Sequence, residues 1–173
     1  MNPYYFVQQA TKNGESLLSL CCGIGLELHG LATRDVTGVD IYQGYLDRMP
    51  HHWVKKINST AKDYIVNAPD KSVDVISFID GLEHMPKEDG EVVLEHCKRV
   101  ARKHVLVFTQ IGYLRNEPHN AWGVEGGDEY QRHKSGWEVS EVEAFGYKLI
   151  AQSNDISQHN EPYTAVMYEW KAE

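Results

Sequence analysis

The sequence predicts an α/β fold, with a doubly wound and mostly parallel sheet that ends in an antiparallel hairpin. Three observations predict it. Short apolar runs of strand length alternate with helical segments, which favours parallel pairing and right-handed crossovers. The first run closes on a glycine turn, which is typical of a buried parallel strand. The length of 173 residues suits one domain, and no boundary divides residues 1–173.

The elements are predicted from their apolar patterns in chain order. Strands are expected at residues 17–22, 36–41, 53–59, 73–79, 104–109, 147–152 and 163–170. Helices are expected at residues 26–32, 87–101 and 140–145. The second of these helices follows Pro86, a position where a helix can start without losing a needed N–H. The two late strands are expected to pair as the antiparallel hairpin that closes the sheet.

Composition and charge restrict the partners. The net charge of −8 and the isoelectric point near 5.6 disfavour nucleic acid, because proteins that bind it need basic residues to neutralise phosphates. A small or uncharged substrate fits better. The three cysteines have no disulfide or zinc spacing, and residues 1–14 have neither a basic start nor a long apolar run. We therefore expect a cytoplasmic protein that does not engage a membrane; its oligomeric state is left open.

A glycine turn and an acid mark the predicted cofactor site. Residues 19–25 (SLCCGIG) follow the first strand, and glycine there lets the backbone approach a ligand closely. Asp40 ends the second strand, where a carboxylate can accept hydrogen bonds from both ribose hydroxyls. The pair indicates an adenosine-type cofactor; the alternative is a glycine turn beside a helix-capping Asp. A dinucleotide site needs a third glycine, but Leu28 occupies that position, so a cofactor without phosphates is favoured.

Three stretches of the chain resemble the class I S-adenosylmethionine-dependent methyltransferases. They are residues 17–28 (LLSLCCGIGLEL), 36–41 (VTGVDI) and 73–85 (VDVISFIDGLEHM), and the similarity runs in order from about residue 15 to residue 112. The resemblance implies a Rossmann-like fold, S-adenosylmethionine as the cofactor and methyl transfer as the activity. It also implies a set of cofactor-binding residues: Gly23 and Gly25 around the methionine part and adenosine, Asp40 and Ile41 at the ribose, and Ala61 and Asp63 at the adenine.

The chain departs from this family in three places. The family commonly has an acid where this chain has Ser19 and a glycine where it has Cys21. The resemblance therefore leaves the methionine amine to these two residues, to backbone carbonyls and to Asp80. Thr60 lies where an acid is frequent, which leaves the adenine to Asp63 or to backbone groups beside it.

The segment at residues 80–84 (DGLEH) allows three interpretations. If it turns helically, Asp80, Glu83 and His84 lie on one face and could hold a divalent cation, as a similar run does in some methyltransferases. Alternatively, Asp80 or His84 positions or deprotonates the acceptor. In the third interpretation, the Glu–His pair only fixes the loop. We take Asp80 and His84 as catalytic candidates and assign no metal.

The long irregular segment at residues 112–137 is the predicted active-site loop, because loops of this length are usually functional. The residues before the first strand are expected to be too short for the helical cap that many relatives use, so this loop would cover the site. Tyr130, His133 and Trp137 are candidates for the acceptor pocket, and His133, His119 or His84 could be the base. The alternative is an ordinary surface loop with incidental aromatic residues.

Together these features predict methyl transfer to an oxygen or nitrogen of a small-molecule acceptor. Two other functions stay open. One is a methyltransferase that acts on protein or RNA, which the acidic charge disfavours. The other is a non-catalytic S-adenosylmethionine-binding module, which the departures at Ser19 and Cys21 suggest.

Overall fold

One sheet organises the computed structural model, which describes residues 1–118, 120, 122–157 and 159–172. Within these residues its strands are β1 (Leu17–Leu20), β2 (Val36–Asp40), β3 (Lys55–Asn58), β4 (Val73–Ile79), β5 (Ala101–Gln110), β6 (Lys148–Ile156) and β7 (Pro162–Lys171). Their spatial order is β3-β2-β1-β4-β5-β7-β6. The first five strands pair in parallel, and β7 runs antiparallel to both β5 and β6. The predicted doubly wound sheet with its closing hairpin is confirmed.

Helices cover both faces of this sheet. They are α1 (Pro3–Ala10), α2 (Gln43–Arg48), α3 (Ala61–Asn67), α4 (Lys87–Val100) and α5 (Val139–Ala144), with short 3-10 helices at Leu26–Leu28, Leu82–His84 and Asp128–Gln131. Alternate strand residues feed two apolar cores. Leu18 of β1 packs in the core that α3, α4 and α5 cover, whereas Leu17 packs in the core that α1 and α2 cover. In the part of the chain that is described, no helix is long and apolar enough to cross a membrane.

Local sequence explains where the structure differs from the predicted elements at the start of the chain. A helix that the sequence analysis did not predict lies at the start of the chain. Asn2 caps α1 by accepting a hydrogen bond from the Tyr4 N–H at 3.1 Å, Pro3 occupies the first turn, and Val7 is fully buried against the sheet. A two-turn helix is marginal alone, and burial of this apolar residue stabilises it.

Two further predictions need correction. The helix expected at residues 26–32 is a single 3-10 turn, because His29 is extended and Gly30 has a φ of +74°. Helix α3 was not predicted, although Thr60 provides a clear signal for it. The Thr60 side chain accepts a hydrogen bond from the Asp63 N–H at 3.0 Å and so caps the first turn.

Candidate active site

A cavity of about 700 Å³ lies at the carboxyl ends of β1, β2, β4 and β5. The strand order reverses between β1 and β4 at this edge, and open α/β sheets bind their ligands at such a switch point. The volume lies in the usual range of small-molecule sites. Eight of the predicted site residues line the cavity: Cys21, Gly23, Asp40, Ile41, Ala61, Asp80, His84 and His133. Three others do not: Ser19, Gly25 and Asp63.

The glycine turn forms one wall of the cavity in a backbone conformation that favours glycine. Cys21, Gly23 and Gly25 have φ values of +55°, +51° and +77°. A Cβ atom at Gly23 would lie 2.8 Å from the ring of Trp122, so only glycine fits beneath that ring. Gly25 lies behind the wall, where its carbonyl oxygen is 3.0 Å from Nε2 of His51. The turn therefore presents backbone, rather than side chains, to whatever occupies the cavity.

Asp40 lies at the end of β2 and braces this turn. Its carboxylate accepts hydrogen bonds from the N–H groups of Gly23 at 2.8 Å and Tyr42 at 2.9 Å. Burial raises the pKa of Asp40, and the two backbone hydrogen bonds oppose that rise. A carboxylate has about four acceptor positions, so the side chain keeps acceptor capacity towards the cavity. The exposed side chain of Ile41 adds an apolar wall next to it.

The first turn of α3 lines the opposite part of the cavity through Thr60, Ala61 and Lys62. Ala61 is buried and offers a small apolar surface. Asp63 is exposed, and its backbone N–H is the group that Thr60 caps. Its position as the third residue of a helix, rather than a place in the cavity, accounts for the acid at this point of the sequence.

The cavity floor is acidic. Asp80 follows β4 in a left-handed conformation with a φ of +48° and is exposed to the cavity. Glu83 is buried behind it and accepts a hydrogen bond from Oγ1 of Thr109 at 2.8 Å. Desolvation by the surrounding protein and the charge of Glu83 raise the pKa of Asp80 to about 8, and burial raises the pKa of Glu83 to about 7. Burial therefore favours the protonated form of both carboxyl groups.

Two histidines meet above these acids. The ring centroids of His84 and His133 are 4.7 Å apart, with planes inclined at 77°. Nδ1 of His84 lies 3.3 Å from the Arg132 carbonyl oxygen, and Nδ1 of His133 lies 2.6 Å from that of Leu114. A carbonyl can only accept, so these contacts assign the proton of each neutral ring to Nδ1 and the lone pair to Nε2. The lone pair at Nε2 is what a general base uses.

The same two rings and Glu83 also meet the spacing of a metal site. One ligand atom from each of the three residues lies within 4.8 Å of the others. Asp80, which the sequence grouped with Glu83 and His84, is not a member of this cluster among the described residues. His119, the third predicted base, lies outside the described residues.

Described residues of the loop at 112–137 line the cavity and contact α2. Trp122 covers Gly23 and meets Tyr45 edge-to-face at 4.8 Å, and Tyr130 stacks on Tyr42 at 5.2 Å. The Tyr45 hydroxyl donates a 2.7 Å hydrogen bond to the Gly127 carbonyl. Several loop residues line the cavity: Leu114, Arg115, Asn116, Trp122, Tyr130, Gln131, His133 and Lys134.

Trp137, predicted in the acceptor pocket, lies in the core instead. It is 1% exposed, and its ring Nε1–H donates to Oγ of Ser135 at 2.9 Å. Its position just before α5 brings it onto α4, where a Cβ at Gly90 would be 2.5 Å from its ring. An aromatic residue at the end of a loop is as suited to anchoring that loop in the core as to binding a ligand.

Sequence reasoning missed three contributions to the site. Gln110 ends β5 and lines the cavity, and its buried Nε2 has no hydrogen-bond partner among the described residues. Ser157 and Tyr163 reach the cavity from the hairpin of β6 and β7. The third is Glu27, which is 5% exposed and accepts hydrogen bonds from Oγ of Ser19 and, at 2.9 Å, from Oγ of Ser77. A polar residue at a strand end is the signal that marks Gln110 in the sequence.

The fold and the position of the cavity place the chain among the Rossmann-like α/β proteins, which bind ligands at this edge of the sheet. A family model described as a methyltransferase domain matches residues 17–104, which is about half of the chain. The chain belongs to the methyltransferase domain family and is an S-adenosylmethionine-dependent methyltransferase. The predicted enzyme class and cofactor are thereby confirmed.

Solved structures are similar in fold at low sequence identity. YcgJ protein from Bacillus subtilis is similar with a TM-score of 0.73 at 13% identity, over 99% of this chain and 98% of that one. The 1,6-didemethyltoxoflavin-N1-methyltransferase of Burkholderia thailandensis, solved with 1,6-didemethyltoxoflavin and S-adenosylhomocysteine, has a TM-score of 0.66 at 13% identity, over 99% and 78%. Magnesium protoporphyrin IX methyltransferase from Synechocystis has a TM-score of 0.65 at 13% identity, over 99% and 80%. A search of curated proteins finds no match.

The cavity fits S-adenosylmethionine on its own chemistry. The glycine turn leaves room for backbone contact, and Asp40 keeps acceptor capacity suited to ribose hydroxyls. No ion pair joins Glu27, Asp80 or Glu83 to a basic residue within the described ranges. Acids on the cavity floor that no lysine or arginine pairs with, among the described residues, favour a ligand that carries positive charge, as a sulfonium with an ammonium group does.

Proposed function

We propose that this methyltransferase transfers the methyl group to an oxygen or nitrogen of a small molecule. The observation that carries the proposal is the pair His84 and His133, which line the cavity with Nδ1 of each ring beside a backbone carbonyl oxygen. An acceptor hydroxyl or amine must lose a proton, and a neutral Nε2 is a suitable base. The bound acceptor of the Burkholderia enzyme is a small molecule, which agrees with this acceptor class.

The proposed cofactor site follows the cavity wall. Gly23 and Gly25 shape the turn, Cys21 begins it, and Ser19 lies on the strand that leads into it. Asp40 and Ile41 meet the ribose. Ala61 meets the adenine, with Asp63 supporting the same helical turn, and Asp80 faces the sulfonium end. The nearby acid pair of Asp80 and Glu83 stabilises positive charge when ionised. S-adenosylmethionine supplies a methyl group that is already activated towards nucleophiles.

The chain's own contribution to the reaction is then alignment and proton transfer. Holding the acceptor in line with the methyl group supplies much of the rate, because it replaces a bimolecular encounter. Nε2 of His133 takes the proton of the acceptor, and His84 packs against that ring and fixes its orientation. The loop with Trp122 excludes water from the site. Asp80 positions the acceptor from the floor.

The test compares turnover with cofactor affinity in two matched variants. His133→Gln should lower turnover by roughly 10²- to 10⁴-fold, as loss of a general base does, and leave S-adenosylhomocysteine affinity within about twofold. His96→Gln, on the outer side of α4 and outside the cavity, is the control and should keep both values. Release of S-adenosylhomocysteine is followed with a panel of small phenols, enols and heteroaromatic amines.

Three results would redirect the proposal. Full turnover in His133→Gln would show that His133 is not the general base. Loss of turnover on chelation, restored by a divalent cation, would assign Glu83, His84 and His133 to a metal instead. Methylation of a basic protein, with none of the small acceptors accepted, would favour the macromolecular alternative.

A further inference from the structure

Glu27 is a carboxylate buried in the core without a basic partner. It lies in the 3-10 turn that follows Gly25 and is 5% exposed. Its Oε1 accepts hydrogen bonds from Ser19 and Ser77, while Oε2 is buried and has no hydrogen-bond partner among the residues described. Burial of a charged group with an unsatisfied oxygen is costly unless a cation or further donor comes to it. A buried carboxylate of this kind therefore indicates a specific role for Glu27.

The location of Glu27 indicates what this role is. Ser19 of β1 and Ser77 of β4 are register neighbours, and both are fully buried beneath the glycine turn. Glu27 is close enough to Asp80 and Cys21, which line the cavity, for the charges to interact: Asp80 contributes to the raised pKa of Glu27, and Glu27 contributes to that of Cys21. Glu27 does not itself line the cavity; its hydrogen bonds to β1 and β4 place the carboxylate between these strands, where the strand order reverses.

The sequence gives a second, independent reason. Ser19 occupies the position where related methyltransferases commonly carry an acid, and its hydroxyl now donates to Glu27. The serine carries no charge, but a carboxylate from the neighbouring turn is hydrogen-bonded to it. A carboxylate is therefore present next to position 19, although position 19 itself carries a hydroxyl.

We propose that Glu27 provides the charge that holds the α-ammonium group of the cofactor's amino-acid end. The inference rests on the cofactor placement proposed above. It assigns Asp80 to the sulfonium side and Glu27 to the ammonium side of the same ligand. The serine hydroxyls orient the carboxylate, and the unpartnered Oε2 is the acceptor that remains for the ammonium or for a water bound to it.

The test separates the ammonium group from the rest of the ligand. Calorimetry compares S-adenosylhomocysteine with its deaminated analogue, in which hydrogen replaces the α-amino group. Glu27→Gln keeps the size and the hydrogen-bonding shape of the side chain and removes only the charge. It should weaken S-adenosylhomocysteine about tenfold, as loss of one charge-assisted contact does, and leave the affinity of the deaminated analogue within about twofold. Glu91→Gln, an exposed acid on α4, should change neither affinity.

A double variant that moves the carboxylate to position 19 distinguishes the loss of the charge from a structural effect of the substitution. Ser19→Asp with Glu27→Gln returns the carboxylate to the strand, and it should restore most of the affinity for S-adenosylhomocysteine. Equal loss for both ligands in Glu27→Gln would show that Glu27 only supports the turn and would overturn the inference, as would an unchanged affinity for both. If neither ligand binds the unmodified protein, the cofactor placement itself fails, which is a different result from a loss confined to the variant.

Discussion

Replacement of Glu27 by Gln should stabilise the empty protein, and the gain should grow with pH. Burial first, and then the charge of Asp80, raise the pKa of Glu27 from its ordinary value of 4.5 to about 7, while hydrogen bonds from Ser19 and Ser77 oppose the rise. The groups that face Glu27 and interact with its charge also include Tyr4 of α1 and the thiols of the glycine turn. Near pH 4 the side chain is neutral in both the folded and the unfolded chain, so the substitution changes little through charge.

As the pH rises above 4.5, the unfolded chain loses the proton that the folded chain keeps. The folded state then binds more protons than the unfolded state, so the free energy of unfolding falls until the pH passes about 7. One pKa unit corresponds to about 1.36 kcal/mol, so the full penalty is about 3 kcal/mol. The variant with Gln does not have this penalty. At pH 8 it should melt roughly 6 to 12 °C above the unmodified protein, with most of the difference lost at pH 4.5.

Urea unfolding followed by circular dichroism at several pH values between 4.5 and 8 measures this directly. Asp74→Asn is the control with the opposite sign. Hydrogen bonds from Arg102 and Ser16 lower the pKa of Asp74 to about 2, so its contribution is fully present across this range and is lost only at more acidic pH. That variant should be less stable by a constant amount. A gain in Glu27→Gln that is equal at pH 4.5 and pH 8 would refute the assignment of a buried, ionisable Glu27.

Three other outcomes are expected. Asp40→Ala should weaken S-adenosylhomocysteine roughly tenfold to a hundredfold in a folded protein, measured by calorimetry, because it removes charge-assisted hydrogen bonds; unchanged affinity would place the ribose elsewhere. S-adenosylhomocysteine at 100 times its dissociation constant should add roughly 2.7 kcal/mol to the free energy of unfolding, whereas NAD should not raise the melting temperature; the reverse order would contradict the cofactor assignment. Limited proteolysis should cut residues 112–137 more slowly when S-adenosylhomocysteine is bound, and Trp122→Ala should reduce that protection; equal cleavage in all states would leave the loop as ordinary surface.

The parts of the fold that depend on strand burial could be predicted from the sequence. Runs such as Val73–Ile79 are apolar on both faces, which only a central parallel strand requires, so the predicted strand has the observed bounds. Short helices were harder to predict from the sequence. Helix α2 has six residues, and its buried pair Tyr45 and Leu46 gives too short a pattern for the helical period to emerge. The role of α2 is apparent only from the three-dimensional structure, in which Tyr45 supports the loop at Gly127.

The cofactor wall of the site was more predictable than its floor. Gly23 and Asp40 act through backbone geometry and strand position, both of which follow from local sequence. The contact between His84 and His133 joins residues 49 positions apart, and no local pattern encodes it. Trp137 shows the converse, since aromatic residues in a loop do not indicate by themselves whether they face a ligand or the core.

The exchange between Ser19 and Glu27 explains why one departure from a family pattern need not remove a function. A sequence pattern describes one position at a time, whereas a ligand responds to the charge at a point in space. A carboxylate eight residues along the chain is hydrogen-bonded to the Ser19 side chain. The two serines that orient it, on β1 and β4, show that the surroundings are adapted to hold an acid there. In a module that did not bind the cofactor, a buried carboxylate with a raised pKa would only lower the stability of the folded protein. The cost in stability and the binding of a cationic ligand are therefore two consequences of the same side chain.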